Sequence, residues 1–591
     1  MLERAKILGR GVWELTWPYW RSEERWTARL LLAAILGLNL GTVYISVQIN
    51  RWQASFYNSL VAKDVSVFLS QIGRFSYLAA AYIAMGVYQL YLNQMLQIRW
   101  RRWLTATSLE KWLGGHTYYF MELIDRGTDN PDQRIAEDLR AFVEITLSLV
   151  LGVVNAAVTL GAFLVVLWSL SGSFSFAAPD GRTYVIHGYL VWAALLYSAV
   201  GTYLTHRVGR PLIGLNFDQQ RYEADFRFQL VRLRENAESV AFYGGERGEE
   251  RTLSERFAAV FSNWWAIMKA QKRLTWFTSG YGQASVIFPV LMIAPRYFRG
   301  EIQLGGLIQT TAAFGEVQGS LSWFVGAYPA IAQWKAVVDR LIGFREAMAR
   351  TAERRRAESE LIVHRTPEPR LALEDVEVRL PDGAVLLSDI SFAVEPGERV
   401  LLTGPSGVGK STLLRLLAGL WPFGRGRILL PETGRFLFLP QKAYLPMGTL
   451  REVVSYPSLP DAFGAAEVTE ALEVCELGHL AEELDRVRFW SMQLSGGEQQ
   501  RVAFARVLLH RPEWLFMDEA SAALDEATER KLYRTVDERL PGTAIVSVGH
   551  RRALSELHRR SLRLDRDAEG RGVLKPLPSC AGGAGLPDEE G

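Results

Sequence analysis

Positions 30–49 carry no charged residue, and at about 1.5 Å per helical residue such a stretch spans roughly 30 Å of hydrocarbon. Uncharged stretches return at 75–98, 145–170, 185–205 and 274–295, and 302–334 is interrupted only by Glu316. This pattern predicts six transmembrane helices over positions 30–344. The charged leader 1–29 lacks a small-residue cleavage motif and is read as an interfacial helix, with Trp13, Trp17, Trp20 and Trp26 interleaved among charges.

Basic residues set the expected orientation. Arg99, Arg101, Arg102, Lys111, Arg126, Arg134 and Arg140 separate the second and third stretches, and a longer basic segment, 207–273, separates the fourth and fifth. Both loops are expected in the cytoplasm, with both termini. Their composition, as in 219–234 and 246–272, predicts helices that continue beyond the bilayer. Glu316 is the only carboxylate in a predicted span. With Gln309, Thr310, Thr311 and Gln318 it makes the sixth helix polar enough to line a cavity, because a charge facing lipid is costly.

A charged connector is expected at 345–369, an α/β domain at 370–575 and a flexible tail at 576–591. A strand at 398–403 leads into Gly404, Pro405, Ser406, Gly407, Val408, Gly409, Lys410 and Ser411, and a helix follows from Thr412. This is a phosphate-binding P-loop in its required context. Glycines turn backbone N–H groups toward phosphate oxygens, Lys410 reaches the terminal phosphates, and the Ser411 hydroxyl ligates magnesium. The apolar run 514–517 ends in Asp518 and Glu519. Asp518 suits Mg²⁺ and Glu519 suits the general base for the attacking water. ATP and Mg²⁺ are therefore the expected cofactors.

Charge is nearly balanced, 66 Lys and Arg against 64 Asp and Glu, so no basic surface announces a nucleic-acid partner. Cys475 and Cys580, the only cysteines, fit reduced thiols rather than a disulfide framework. The 18 Trp, 21 Tyr and 28 Phe fit apolar spans edged with aromatics.

The run Leu494, Ser495, Gly496, Gly497, Glu498, Gln499, Gln500, Arg501 resembles the signature of ATP-binding cassette (ABC) proteins. The resemblance implies that Ser495, Gly496, Gly497 and Glu498 meet the γ-phosphate of nucleotide held by a second subunit. It further implies that Gln441 is the Q-loop glutamine near the metal, that the segment ending at Asp525 is the D-loop, and that His550 is the switch histidine. The family's adenine-stacking aromatic is missing from 371–389; Leu380 and Pro381 stand there instead.

Asp129, Asn130, Asp132, Gln133 and Arg134 form a motif similar to one in SbmA/BacA-like and peroxisomal subfamily D transporters, and Glu238, Phe242, Tyr243 and Gly244 resemble their second motif. Both are expected to couple membrane and ATPase domains. The implied fold is an exporter-type α-helical membrane domain followed by an α/β P-loop ATPase domain. The implied assembly is a homodimer in the bilayer of a bacterial cytoplasmic membrane. YddA-type and mycobacterial BacA-type relatives imply ATP-driven movement, by import, of hydrophilic or amphipathic solutes such as cobalamin or peptides. The peroxisomal relatives imply instead an exporter or carrier of long-chain fatty acyl compounds. An ATP-gated protein that pumps nothing is the competing reading.

Overall fold

The structure, a computed structural model, describes residues 2–124, 130–177 and 183–577. The chain divides into two compact units: Met1–Lys111 with Asp129–Arg345, and Trp112–Thr128 with Glu346–Gly591.

The helices run in order as α1 (Leu2–Thr16), α2 (Arg25–Ala62), α3 (Val65–Leu113), α4 (Thr117–Ile124), α5 (Pro131–Gln133), α6 (Leu139–Ser171), α7 (Tyr189–Glu235), α8 (Ala237–Tyr243), α9 (Glu246–Phe298) and α10 (Leu304–Ala357). Between α6 and α7 lies an antiparallel pair, β1 (Ser173–Ala177) and β2 (Thr183–His187). Lys63 ends α2 in the left-handed conformation, and Asp64 Oδ1 then accepts the Ser66 and Val67 N–H groups that open α3.

Each expected span falls wholly or mostly in one of the long helices α2, α3, α6, α7, α9 and α10. Four of the described helical segments, 25–62, 65–124, 131–171 and 246–298, are apolar and long enough to cross a bilayer. Only 6% of the most apolar window of the second is buried, so its Leu, Tyr and Ile side chains face outward, which water would penalise and lipid does not.

Where helices meet, Phe163, Leu167, Tyr189, Leu190, Ile293, Phe314 and Val317 form a buried cluster. Polar pairs join them: Asn39 Nδ2 donates to Asn155 Oδ1 at 3.1 Å, Gln309 Nε2 to Asn50 Oδ1 at 3.2 Å, and Trp334 Nε1 to Thr146 Oγ1 at 2.8 Å.

Several boundaries differ from the expected ones. The leader is not one helix: α1 ends at Thr16 and a 3₁₀ turn at Tyr19–Arg21 precedes α2. The fourth apolar stretch opens as strand β2, and Gly188 at φ 66° separates it from α7. The connector 345–369 is mostly regular. Helix α10 continues to Ala357 because its Arg/Glu-rich end favours helix, with Arg350 and Glu346 paired four residues apart at 3.6 Å, and Ser359–Thr366 is a strand. Of the tail, only residues 576 and 577 are among those described.

The second unit continues with β3 (Ser359–Thr366), β4 (Leu371–Arg379), β5 (Val385–Val394), β6 (Arg399–Thr403), α11 (Lys410–Leu417), β7 (Gly424–Pro431), β8 (Phe436–Leu439), β9 (Gly448–Thr449), α12 (Leu450–Ser455) and α13 (Ala465–Val474). After these come β10 (Val487–Arg488), α14 (Trp490–Gln493), α15 (Gly496–His510), β11 (Trp514–Asp518), α16 (Glu526–Arg539), β12 (Ala544–Val548), α17 (Arg552–Leu557), β13 (Arg560–Arg566) and β14 (Gly572–Pro576). Ten strands form one mixed sheet in the order β3-β7-β4-β5-β14-β13-β6-β12-β11-β8.

Helix α4 belongs to this unit. Leu123 and Ile124 pack on the sheet core that contains Val376, Phe423 and Ile428, Arg355 donates to the Gly115 carbonyl at 2.8 Å, and its guanidinium lies 4.8 Å from the Phe120 ring centroid. The segment 112–124, read as part of the membrane domain, thus packs with the ATPase domain.

Candidate functional site: a nucleotide cradle

Strands β6, β12 and β11 are parallel neighbours, with Leu402 opposite Val548 and Val548 opposite Asp518. Their C-terminal ends therefore release the P-loop, the 549–551 turn and Glu519 along one sheet edge, where open α/β sheets place their ligands.

The P-loop needs its glycines. At Gly404, φ is 141° and a Cβ would lie 2.3 Å from the Leu564 carbonyl oxygen; Gly409, at φ 113°, opens α11. The helix begins at Lys410, two residues earlier than expected at Thr412. Lys410 is buried, and its Nζ donates to the Gly404 and Pro405 carbonyls at 2.7 and 2.9 Å. Burial pushes its pKa down, opposed by the carboxylates of Glu519 and Asp518.

Ser411 Oγ donates to Asp518 Oδ1 at 2.9 Å. Burial holds the Asp518 carboxyl above its ordinary value; the Ser411 bond opposes that and the Glu519 charge adds to it. Glu519 adopts φ 50°, a left-handed backbone that turns it off the strand end. Gln441 Nε2 donates to Glu519 Oε2 at 3.0 Å, and His550 Nε2 stands 3.4 Å from Oε1. The structure thus brings together Gln441, Glu519 and His550 as one group, and Lys410, Ser411 and Asp518 as another beside it. Among the described residues no cluster of three His, Cys, Asp or Glu suits a metal. A hydroxyl, a carboxylate and an amide oxygen fit Mg²⁺, which keeps waters and takes phosphate oxygens.

Ser495 caps α15 in a reciprocal box: its N–H and Oγ donate to Glu498 Oε2 at 2.9 and 2.8 Å. No hydrogen bond or ion pair joins 495–498 to 404–412 among the described residues. Asp525 caps α16 through the Ala527 and Thr528 N–H groups at 3.1 and 2.9 Å, which hold its carboxyl below the usual range.

Two organising residues escaped the sequence reading. Buried Gln500 accepts the Ala523 N–H at 2.8 Å and donates to the Gln441 carbonyl at 3.5 Å, joining the signature helix to both neighbouring loops. Arg551 donates to the Leu524 and Ala522 carbonyls at 2.6 and 2.8 Å. The hydrophilic run 499–501 hid the first, and adjacency to His550 was the only available signal for the second.

In the membrane unit, Asp129 lies outside the described residues. Asn130 precedes α5 at φ 41°, Asp132 sits within α5, and Gln133 Nε2 donates to Glu137 Oε2 at 3.1 Å. Arg134 NH1 meets Asp138 Oδ2 at 2.6 Å across a π-helical turn, and Arg340 from α10 meets the same carboxylate at 2.6 and 2.9 Å. Glu238 lies in the first turn of α8, Phe242 and Tyr243 are 83% and 89% exposed, and Gly244 ends the helix at φ 59°. Gln309 is tied to Asn50, and Gln318 Nε2 lies 3.4 Å from Ser322 Oγ, whereas the exposed Glu316 side chain forms no hydrogen bond or ion pair among the described residues.

Residues 16–298 match the family model for ABC transporter transmembrane region 2, and 387–522 match the ABC transporter model. An uncharacterised ABC transporter ATP-binding protein of Haemophilus influenzae is 36% identical over 95% of this chain and 93% of its own length. The chain belongs to the ABC transporter family.

Among its ABC relatives, the inner membrane ABC transporter ATP-binding protein YddA of Escherichia coli is 34% identical over 90% of this chain and 93% of its own length. ABC transporter D family member 2, chloroplastic, of Arabidopsis thaliana is 35% identical over 95% and 86%. A bacterial Atm1-family ABC exporter, solved with ATP bound, shares the fold with TM-score 0.71 at 19% identity, covering 92% of this chain and 94% of that one. The chain is therefore an ABC half-transporter, with a helical membrane domain and an ATPase domain whose ATP hydrolysis is coupled to transport.

Proposed function

We propose that two copies form a homodimer in the cytoplasmic membrane of a bacterium and hydrolyse ATP at two sites built in trans. The carrying observation is the disposition of Glu519: Gln441 holds one carboxylate oxygen and His550 faces the other, while among the described residues no hydrogen bond or ion pair joins Ser495 to the P-loop of its own chain. In this reading Lys410 leaves its two carbonyls for the terminal phosphates, the 404–412 amides cradle them, and Glu519 accepts the proton of the attacking water. Ser495, Gly496, Gly497 and Glu498 of the second copy close the site from the opposite side, with Asp525 in the adjoining loop. Ser411, Asp518 and Gln441 would hold Mg²⁺, which would supply neutralisation of phosphate charge.

Six membrane helices per copy rest on the uncharged stretches, and the cytoplasmic placement of both termini on the basic loops. Phe242 and Tyr243, exposed on α8 beside Glu238 and Gly244, suit burial against an ATPase domain, and the 129–134 motif is assigned the same coupling role. Gln309, Glu316 and Gln318 are assigned to the cavity.

The SbmA/BacA-like motifs support import of hydrophilic or amphipathic solutes such as cobalamin or peptides. The similarity to an Arabidopsis D family member favours a second reading, fatty acyl cargo. Uptake of labelled cobalamin, peptide and acyl-CoA into vesicles of known orientation, with Glu519→Gln as control, distinguishes them. Accumulation of none above that control contradicts pumping of these solutes.

A further inference from the structure

Glu529, in the first turn of α16, is 1% exposed and belongs to neither group of the nucleotide cradle. A carboxylate so deeply placed is costly unless partners bond it and balance its charge. Two partners meet it. Ser521 Oγ donates to Oε1, and Arg551 NH1 stands 3.6 Å from Oε2, which takes no hydrogen bond among the described residues. Each partner lies beside a residue of the cradle: Ser521 two positions after Glu519, Arg551 one position after His550.

The segment 519–524 is a closed turn fixed to the sheet. The Glu519 N–H donates to the Val548 carbonyl at 3.1 Å, the Ala522 N–H to the Glu519 carbonyl at 3.1 Å, and the Leu524 N–H to the Ser521 carbonyl at 3.0 Å. The 549–551 turn is anchored on this frame by one side chain. Gly549 N–H reaches the Leu402 carbonyl at 3.4 Å, and the Arg551 guanidinium then donates to the Leu524 and Ala522 carbonyls at 2.6 and 2.8 Å. Two carbonyls orient a guanidinium without neutralising it. Glu529 is the one carboxylate paired with Arg551 among the described residues, so it supplies the charge that keeps the anchor in place.

We propose that Glu529 and Arg551 are a positioning pair for hydrolysis: by pinning the 549–551 turn to the 519–524 turn, they hold His550 Nε2 3.4 Å from Glu519 Oε1. Both act through His550. This role rests on the reading of Glu519 and His550 as the hydrolytic pair.

The test is steady-state hydrolysis and equilibrium ATP titration of the full-length transporter in phosphatidylcholine nanodiscs, with Glu529→Gln, Arg551→Gln and the double variant. Glu529→Gln keeps an acceptor for Ser521 and removes the charge; Arg551→Gln changes a half-buried side chain on a turn. Each should lower kcat by about 10–100-fold, the scale of a misplaced catalytic group, with KM and ATP affinity unchanged. The double variant should fall no further than either single one, because both remove the same interaction. Glu529→Asp, which restores the charge, should recover part of the loss. Wild-type kcat in either single variant, a KM that rises as kcat falls, or losses that multiply in the double variant overturns the proposal. If Glu529→Gln does not fold, Arg551→Gln decides by the same kcat and KM outcomes. Glu519→Gln is measured alongside: turnover in that variant defeats the hydrolytic reading itself, whereas its inactivity beside a fully active Glu529→Gln defeats the positioning role alone.

Discussion

Gln441 donates its side-chain amide to Glu519 across 3.0 Å, tying the loop after β8 to the residue that follows β11. With His550 on the other oxygen, the carboxylate is oriented from two sides before any phosphate arrives. Glu519→Gln should preserve this geometry yet remove proton acceptance. Hydrolysis is expected to fall by about 10²–10⁴-fold with ATP affinity retained, read by phosphate release and nucleotide binding on the same sample. Wild-type turnover would assign the base elsewhere.

Asp138 is buried and holds Arg134 and Arg340 together. Asp138→Ala leaves the buried Arg134 guanidinium without that partner, and removal of one member of such a group costs about 3–5 kcal/mol. The full chain should unfold at a clearly lower temperature, and Asp138→Ala with Arg134→Leu should recover part of the loss. Equal melting of single variant and wild type would contradict the assigned role.

His558 gives the ATPase domain a pH signature. Its Nδ1 donates to the Leu554 carbonyl at 2.7 Å, Nε2 accepts from Ser547 Oγ at 2.9 Å, and burial pushes its pKa down from 6.5 to about 4. A depressed histidine pKa means the folded state favours the neutral ring. The contribution is present above pH 6.5 and is lost as pH falls through that value toward about 4. Melting temperature followed over this window should drop less in His558→Gln than in wild type; parallel slopes would contradict the argument.

Much of the nucleotide cradle was legible in the sequence because its chemistry restricts residue type: Gly404 and Gly409 for backbone freedom, Lys410 for charge, Asp518 and Glu519 at a strand end. The apolar stretches were legible because lipid tolerates few polar groups. What escaped depends on contacts distant in sequence. Gln500 and Arg551 act by reaching carbonyl oxygens, which any polar residue can do, and α4 packs with the ATPase domain through Leu123 and Ile124, indistinguishable locally from other apolar residues. The strand β2 was absorbed into an apolar run because hydropathy does not separate a short strand from the helix behind it.

Gly404 lies too close to the Leu564 carbonyl to accept a side chain, its virtual Cβ being 2.3 Å away. Gly404→Ala should displace the loop and destabilise it by about 1–3 kcal/mol, with loss of ATP binding in equilibrium titration. Unchanged affinity would show that the loop carries no such constraint.

The most direct test of shared sites mixes two inactive chains, Lys410→Ala and Ser495→Arg, in one reconstituted sample. In a dimer of the two, one site takes both lesions and the other takes none. The account predicts that each variant alone is inactive and that the mixture regains ATP hydrolysis. No recovery on mixing, or full hydrolysis by Ser495→Arg alone, would contradict it.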